Sequence, residues 1–336
     1  MRAMMKKAAA MAACLAVVAG LAAWNGDVGQ YVRSVKQRAG GEAVAYGDLS
    51  GTQGEDPLLA RIRGEAAARK EEPVDAVVDR VWKAIPGYNG VEVDIERTYA
   101  RMKGLPAEAP IRFVYREVKP RVDLGALGAQ PIYRGNPRKR MAAIMVNVAW
   151  GNEYLTPILD TLDREGVKAT FFLDGSWLAK NPEMARAIAA RGHEMSNHAY
   201  SHPDMSRLGK EQQRRQIERT EELLRTTLGV ENRWFAPPSG AYNATTVQTA
   251  AELGLKTVLW TVDTVDWRKP APSAIVAKIA RDVGPGSLIL MHPTSSSSDA
   301  LAGMIAAIRK KGLALGTVTE TLSAKRWPPV EAEARF

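Results

Sequence analysis

Cysteine is almost absent from this 336-residue chain. The single one, Cys14, sits inside an N-terminal apolar run and reads as a small residue of that run, so the folded part can form neither a disulfide nor a cysteine-ligated metal centre. Histidine is nearly as scarce, with four residues in all, so any imidazole chemistry must come from His193, His198, His202 and His292. Phenylalanine, tyrosine and tryptophan make up 7% of residues, and no aromatic-rich basic stripe accompanies the net charge of +9, which argues against a nucleic-acid-binding surface. No apolar run clearly exceeds the roughly 20 residues that span a bilayer comfortably.

One further shortage is local. The stretch VNVAWGNEYL, Val146 to Leu155, has the form of a buried strand turning into a helix at Gly151 and Asn152. Such strand ends commonly hold the chemistry of α/β enzymes. Here the tip carries Ala149 and Trp150, which can neither move a proton nor bind a metal.

What is present begins with a leader. MRAMMKK supplies a positive n-region, and Ala8 to Trp24 is uncharged and apolar before the polar NGD. Residues 1–27 are therefore expected to act as a signal peptide or a membrane anchor, and either role places the rest outside the cytoplasm near a membrane. A basic exported chain, pI about 9.6, suits anionic wall polymers or lipid headgroups.

Residues 28–73 are rich in Gly and charge with little periodicity and are expected to form a stalk, with a loose helix near LLARIRGEAAARKEE. In VDAVVDRVWKAI the apolar residues Val77, Val78, Val81, Trp82 and Ile85 fall on one helical face, which predicts a helix. VDIERTYARM predicts a second helix and IRFVYREV a strand, so residues 74–135 form a small α+β accessory block without catalytic groups. From Met141 onward, short apolar runs alternate with amphipathic segments that often stop at Gly. That alternation predicts an α/β domain over residues 141–323, a parallel sheet covered by helices, followed by a polar tail over 324–336.

Three histidines stand at predicted strand ends: His198 and His202 in SNHAYSHPDMSRL, and His292 in LILMHP. Two imidazoles at i and i+4 can converge on one ion, although a lone histidine is more often structural. WTVDTVDWRKP adds Asp263 and Asp266 beside Trp267, with helix capping by Asp266 as the plain alternative. FAPPSGAYN ends a further strand in a Pro-Gly turn. All four segments belong to one end of the sheet, which predicts a cleft there.

The order KATFFLDG, GHEMSNHAYSHPDMSRL, FAPPSGAYN, VDTVDW and ILMHP resembles the polysaccharide deacetylase family, the NodB-homology domain of carbohydrate esterases, over Met141 to Ser323. The resemblance implies a distorted (β/α) barrel and removal of acetyl groups from N-acetylated sugars of chitin-like polymers or peptidoglycan. It assigns His198 and His202 to a divalent metal, usually zinc, His292 to the general acid, and Asp263 to the support of the acid-base machinery. Trp267 and Leu290 would wall the acetyl pocket, and the Ser239 backbone N–H would meet the oxyanion. The family's first motif ends Thr-Phe-Asp-Asp-Gly, so Ala149 stands at the base position and Trp150 at the metal-binding aspartate. Ala236 stands where the third motif has arginine. NVAWGNEYLTPILDTL, FAPPSGAYN and VWKAIPGYNGVEVDIE are similar to a sporulation-associated branch described as lacking catalytic residues.

A general base contributes about 10²- to 10⁴-fold, and a catalytic zinc ordinarily has three protein ligands. The implied activity is therefore weak or lost, with metal bound weakly or not at all. Three readings compete: an amino-sugar glycan-binding pseudoenzyme that stacks sugars on Trp150 and Trp267; a deacetylase rescued by a relocated carboxylate such as Asp174, with Glu153, Asp204 and Asn147 also nearby in sequence; and an envelope scaffold whose accessory block binds a protein.

Overall fold

The computed structural model describes residues 56–330, so the expected leader over 1–27 with Cys14, the stalk residues before Asp56, and residues 331–336 of the tail lie outside the described residues. Residues 56–330 belong to one compact unit. Among the described residues no helix is long and apolar enough to cross a membrane.

The first helix, α1 (Pro57–Ala66), is capped by Asp56, whose carboxylate accepts from Leu58 N–H and from the Tyr99 hydroxyl at 2.6 Å. Ile62 on this helix is fully buried, and Arg61 donates to the Ala107 and Ala109 carbonyls. This helix belongs to the compact unit rather than to a loose stalk. The predicted helix over 74–85 is a hairpin instead, β1 (Val77–Asp79) with β2 (Lys83–Ile85), paired antiparallel with Val77 opposite Ile85. Its reversal is local: the Asp79 carboxylate accepts from the N–H groups of both Val81 and Trp82, at 2.7 Å each. That turn overrides the helical spacing of the valines, and Val77, Val78 and Val81 end up half or more exposed.

β3 (Gly90–Val93) leads through an Asp94 cap into the expected helix α2 (Ile95–Met102), and β4 (Tyr115–Val118) returns antiparallel to β3. The start of the predicted tail is docked on this block. Arg326 pairs with Glu71 at 2.6 Å, stacks over Tyr88, and Val330 is buried.

The large sheet is parallel throughout. Its strands are β5 (Met141–Val148), β6 (Thr170–Leu173), β7 (Glu194–Asn197), β8 (Trp234–Phe235), β9 (Lys256–Thr257), β10 (Val262–Asp263), β11 (Ser287–Met291) and β12 (Ala314–Gly316). They run in the order β10-β11-β5-β6-β7-β8-β9, with β12 added to β5. The sheet curls into an incomplete, distorted barrel. β5 is buried along its whole length, because alternate residues feed two cores. Ile144, Val146 and Val148 face the helices α3 (Asn152–Arg164), α4 (Gly175–Lys180), α5 (Pro182–Ala190) and α9 (Ser295–Lys310). Ala143 and Met145 pack with Phe172, Trp234, Ala236 and Leu288 on the other face. The remaining helices are α6 (Lys210–Leu228), α7 (Ala244–Glu252), α8 (Pro272–Asp282) and α10 (Val318–Leu322).

Candidate functional site

The carboxyl ends of these parallel strands carry all the polar groups expected of a site. At β5 the chain leaves through Ala149 and Trp150 into Gly151, which has φ +83. A Cβ on Gly151 would lie 2.0 Å from the Pro293 carbonyl oxygen, so only glycine lets this turn approach the end of β11. The consequence is a contact across the rim. Trp150, 48% exposed, stacks on His292 with ring centroids 6.1 Å apart and planes within 8°.

His292 is held from below by one fully buried carboxylate. Asp266 accepts from the His292 backbone N–H at 2.6 Å, from its Nδ1–H at 2.8 Å, and from the Ser297 hydroxyl at 2.5 Å. The pair fixes the imidazole tautomer, so Nε2 is left as the working nitrogen. Asp263, to which this support is expected to fall, accepts instead from Val265 N–H at 2.8 Å and orders the turn. The two aspartates exchange expected roles because Val265 adopts φ +55, which sends the chain round and buries Asp266 beneath His292. Asp266 was noted at this strand end without its contact to His292, and Ser297, which donates to it, was not singled out. The Asp-Trp pair in VDW was the available signal.

At β7 the two remaining histidines meet. His198 is buried and donates from Nδ1 to the Ala236 carbonyl at 2.7 Å, which leaves Nε2 as the lone-pair nitrogen. Burial, and then the neighbouring His202, hold its pKa down at about 3, so the ring is neutral at ordinary pH. His202, exposed and at φ +51, sits edge-on to it with ring centroids 5.2 Å apart. A neutral, oriented imidazole beside a second one suits metal ligation.

A third ligand is what the site lacks. Among the described residues no group of three histidine, cysteine or carboxylate side chains is placed to hold a metal ion. Asp174, the proposed substitute, is 2% exposed and caps α4, accepting from Trp177 N–H at 2.9 Å and from the Ser176 hydroxyl at 2.5 Å. Capping engages its Oδ1, while Oδ2 is buried without a hydrogen-bond partner among the described residues, and the carboxylate joins no metal-holding group with the imidazoles. Glu153 and Asp204 likewise join no such group, and Asp204 instead orders its own loop through Ser206. Asn147 is 2% exposed, and its amide has no partner among the described residues. The residues present therefore do not fit a three-ligand catalytic zinc.

The other residues expected to wall a pocket differ in exposure. Trp267 is 52% exposed with the Arg268 guanidinium 4.7 Å over its ring, while Leu290 is buried in β11 opposite Asp263. Ser239 lies exposed on left-handed backbone, φ +54, in the turn after β8. Ala236 is fully buried and contributes its carbonyl to His198.

Comparison with known proteins places this geometry among relatives. The polysaccharide deacetylase family model matches residues 134–258. The uncharacterised protein YlxY of Bacillus subtilis is 46% identical over 275 residues, 82% of this chain and 86% of that one. A peptidoglycan-N-acetylglucosamine deacetylase of Bacillus cereus is 37% identical over 165 residues, 48% of this chain and 60% of that one. Among solved structures, a family 4 carbohydrate esterase pseudoenzyme from Bacillus anthracis superposes with a TM-score of 0.73 at 41% identity, covering 81% of this chain and 97% of that one. A mutant of that pseudoenzyme, described as having restored enzymatic activity, matches with a TM-score of 0.73 at 40% identity, covering 81% and 100%.

Proposed function

The chain belongs to the polysaccharide deacetylase family of carbohydrate esterases, and from that premise we propose that it is an exported protein of the cell or spore envelope that recognises N-acetylated amino-sugar glycan, chiefly peptidoglycan, with little or no turnover. One observation carries the reading. Where a metal-dependent deacetylase needs a third ligand and a base, this strand end presents Ala149 and the Trp150 indole stacked on His292. Trp150 closes over the acid-base histidine and offers, with Trp267, an exposed aromatic surface of the kind on which sugar faces stack.

The similarity to a Bacillus anthracis pseudoenzyme supports the loss of turnover, and the peptidoglycan deacetylase relative supports the ligand class. The basic, apolar start of the sequence supports export and attachment at the membrane. The placement in sporulation rests on the motif resemblance alone.

The intact His292–Asp266 pair favours one second reading, slow deacetylation by an altered site. The two separate in one assay, in which purified protein is given N-acetylchitooligosaccharides and peptidoglycan. Binding without acetate release is expected, whereas acetate release abolished by His292→Ala would overturn the proposal.

A further inference from the structure

Three residues after Ser239, Tyr242 enters the wall of a cavity. Its volume is about 680 Å³, and it lies between the β1–β2 hairpin and the start of α7. Lys83, Lys210, Tyr242, Ala244, Thr245 and Gln248 contribute to its wall. Among the described residues, the charged ones lining it are the two lysines. Lys83 holds left-handed backbone, φ +57, a conformation costly for a residue with a side chain. Among the described residues its ammonium donates to the Arg80 carbonyl, at 3.2 Å. Lys210 donates to Glu252 at 2.8 Å, and Arg214 pairs with both Glu252 and Glu218, so Lys83 is the lining cation without a carboxylate partner among the ion pairs of the described residues. Ala244 and Thr245 open the nine-residue helix α7, whose amino end adds partial positive charge to the same wall.

We propose that this cavity is an anion subsite that receives the carboxylate-bearing arm of an acidic N-acetylated glycan while the sugar chain occupies the rim beside Trp150 and Trp267. The inference rests on the glycan-recognition reading above and deepens it, because it selects peptidoglycan, whose peptide stems carry carboxylates, over neutral chitin-like chains. Tyr242 is the residue of the cavity wall nearest in sequence to the Ser239 turn. It lines the cavity, stands three residues after Ser239, and is anchored by a 2.8 Å hydroxyl contact with Tyr133.

The test is calorimetric titration of the purified full chain with N-acetylchitotetraose and with a peptidoglycan tetrasaccharide bearing its peptide stems. Wild-type protein is expected to prefer the acidic ligand by about tenfold at low salt, with the preference shrinking as ionic strength rises. Lys83→Glu and, separately, Lys210→Gln are expected to remove most of that preference while leaving affinity for the neutral tetrasaccharide within about twofold. Equal affinity of wild type for both ligands, or a preference that survives Lys83→Glu, would overturn the subsite and leave glycan recognition standing. Failure of wild type to bind either ligand would overturn the glycan reading and the subsite with it.

Discussion

The indole of Trp150 lies parallel to the imidazole of His292, 6.1 Å centroid to centroid, and Gly151 makes this possible by bringing one strand end against the next. Gly151→Ala should therefore be among the most damaging single-carbon additions in the chain. At φ +83, with the Pro293 carbonyl 2.0 Å from the new Cβ, a loss of about 2 kcal/mol or more is expected from urea unfolding. An effect below about 0.5 kcal/mol would mean that the turn does not hold Trp150 where it is described.

Asp266 and Asp263 should respond very differently to removal. Asp266→Ala strips acceptors from three donors around a fully buried carboxylate, so the unfolding free energy should fall by about 3 kcal/mol. Asp263→Ala removes one turn-ordering bond to Val265 and should cost about 1 kcal/mol. Reversal of that order would return the supporting role to Asp263.

Acid should destabilise the fold through His193. Burial, aided by the Lys168 and Arg191 charges and opposed by Asp163, holds its pKa down at about 4, and its Nδ1 accepts from Ala169 N–H at 3.3 Å, which requires a neutral ring. The unfolded chain takes up this proton near pH 6.5 and the folded chain only near 4. Stability is thus fully present above about pH 6.5 and falls, by up to about 1.4 kcal/mol per pH unit, between there and pH 4. His193→Asn, which keeps an acceptor, should flatten that part of the curve in urea titrations at pH 7, 5 and 4.

The exposed valines supply a test of the hairpin. Val78→Thr should change stability by less than about 0.5 kcal/mol, because Val78 is half exposed on β1. A buried helical face would instead lose about 1 kcal/mol or more.

The parallel sheet was legible because parallel strands buried on both faces leave continuous apolar runs such as AAIMVNV, and helices closing on glycine leave their caps in the sequence, whereas its curling into a barrel came from the family resemblance. The accessory block was less so. Val77, Val78, Val81, Trp82 and Ile85 satisfy a helical period as well as they satisfy two short strands, and only the Asp79 side chain, by taking two backbone N–H groups, decides for the hairpin. The site was legible in its histidines. Which aspartate of VDTVD reaches His292 depended on a left-handed turn at Val265, a backbone choice that no side-chain pattern announces. Asp174 looked available as a strand-end carboxylate, and its capping of α4 became visible only when the helix direction was known.

The central claim is that this strand end lacks the groups needed to hold a metal and turn over substrate. The most direct measurement is metal content by atomic emission after zinc loading, with acetate release measured in parallel, for wild type and for Ala149→Asp combined with Trp150→Asp. The account predicts far less than one metal per chain and no acetate for wild type, and a rise to about one metal per chain in the double variant, where two carboxylates join His198 and His202. Stoichiometric metal in wild type, lost in His198→Ala and accompanied by acetate release, would contradict it.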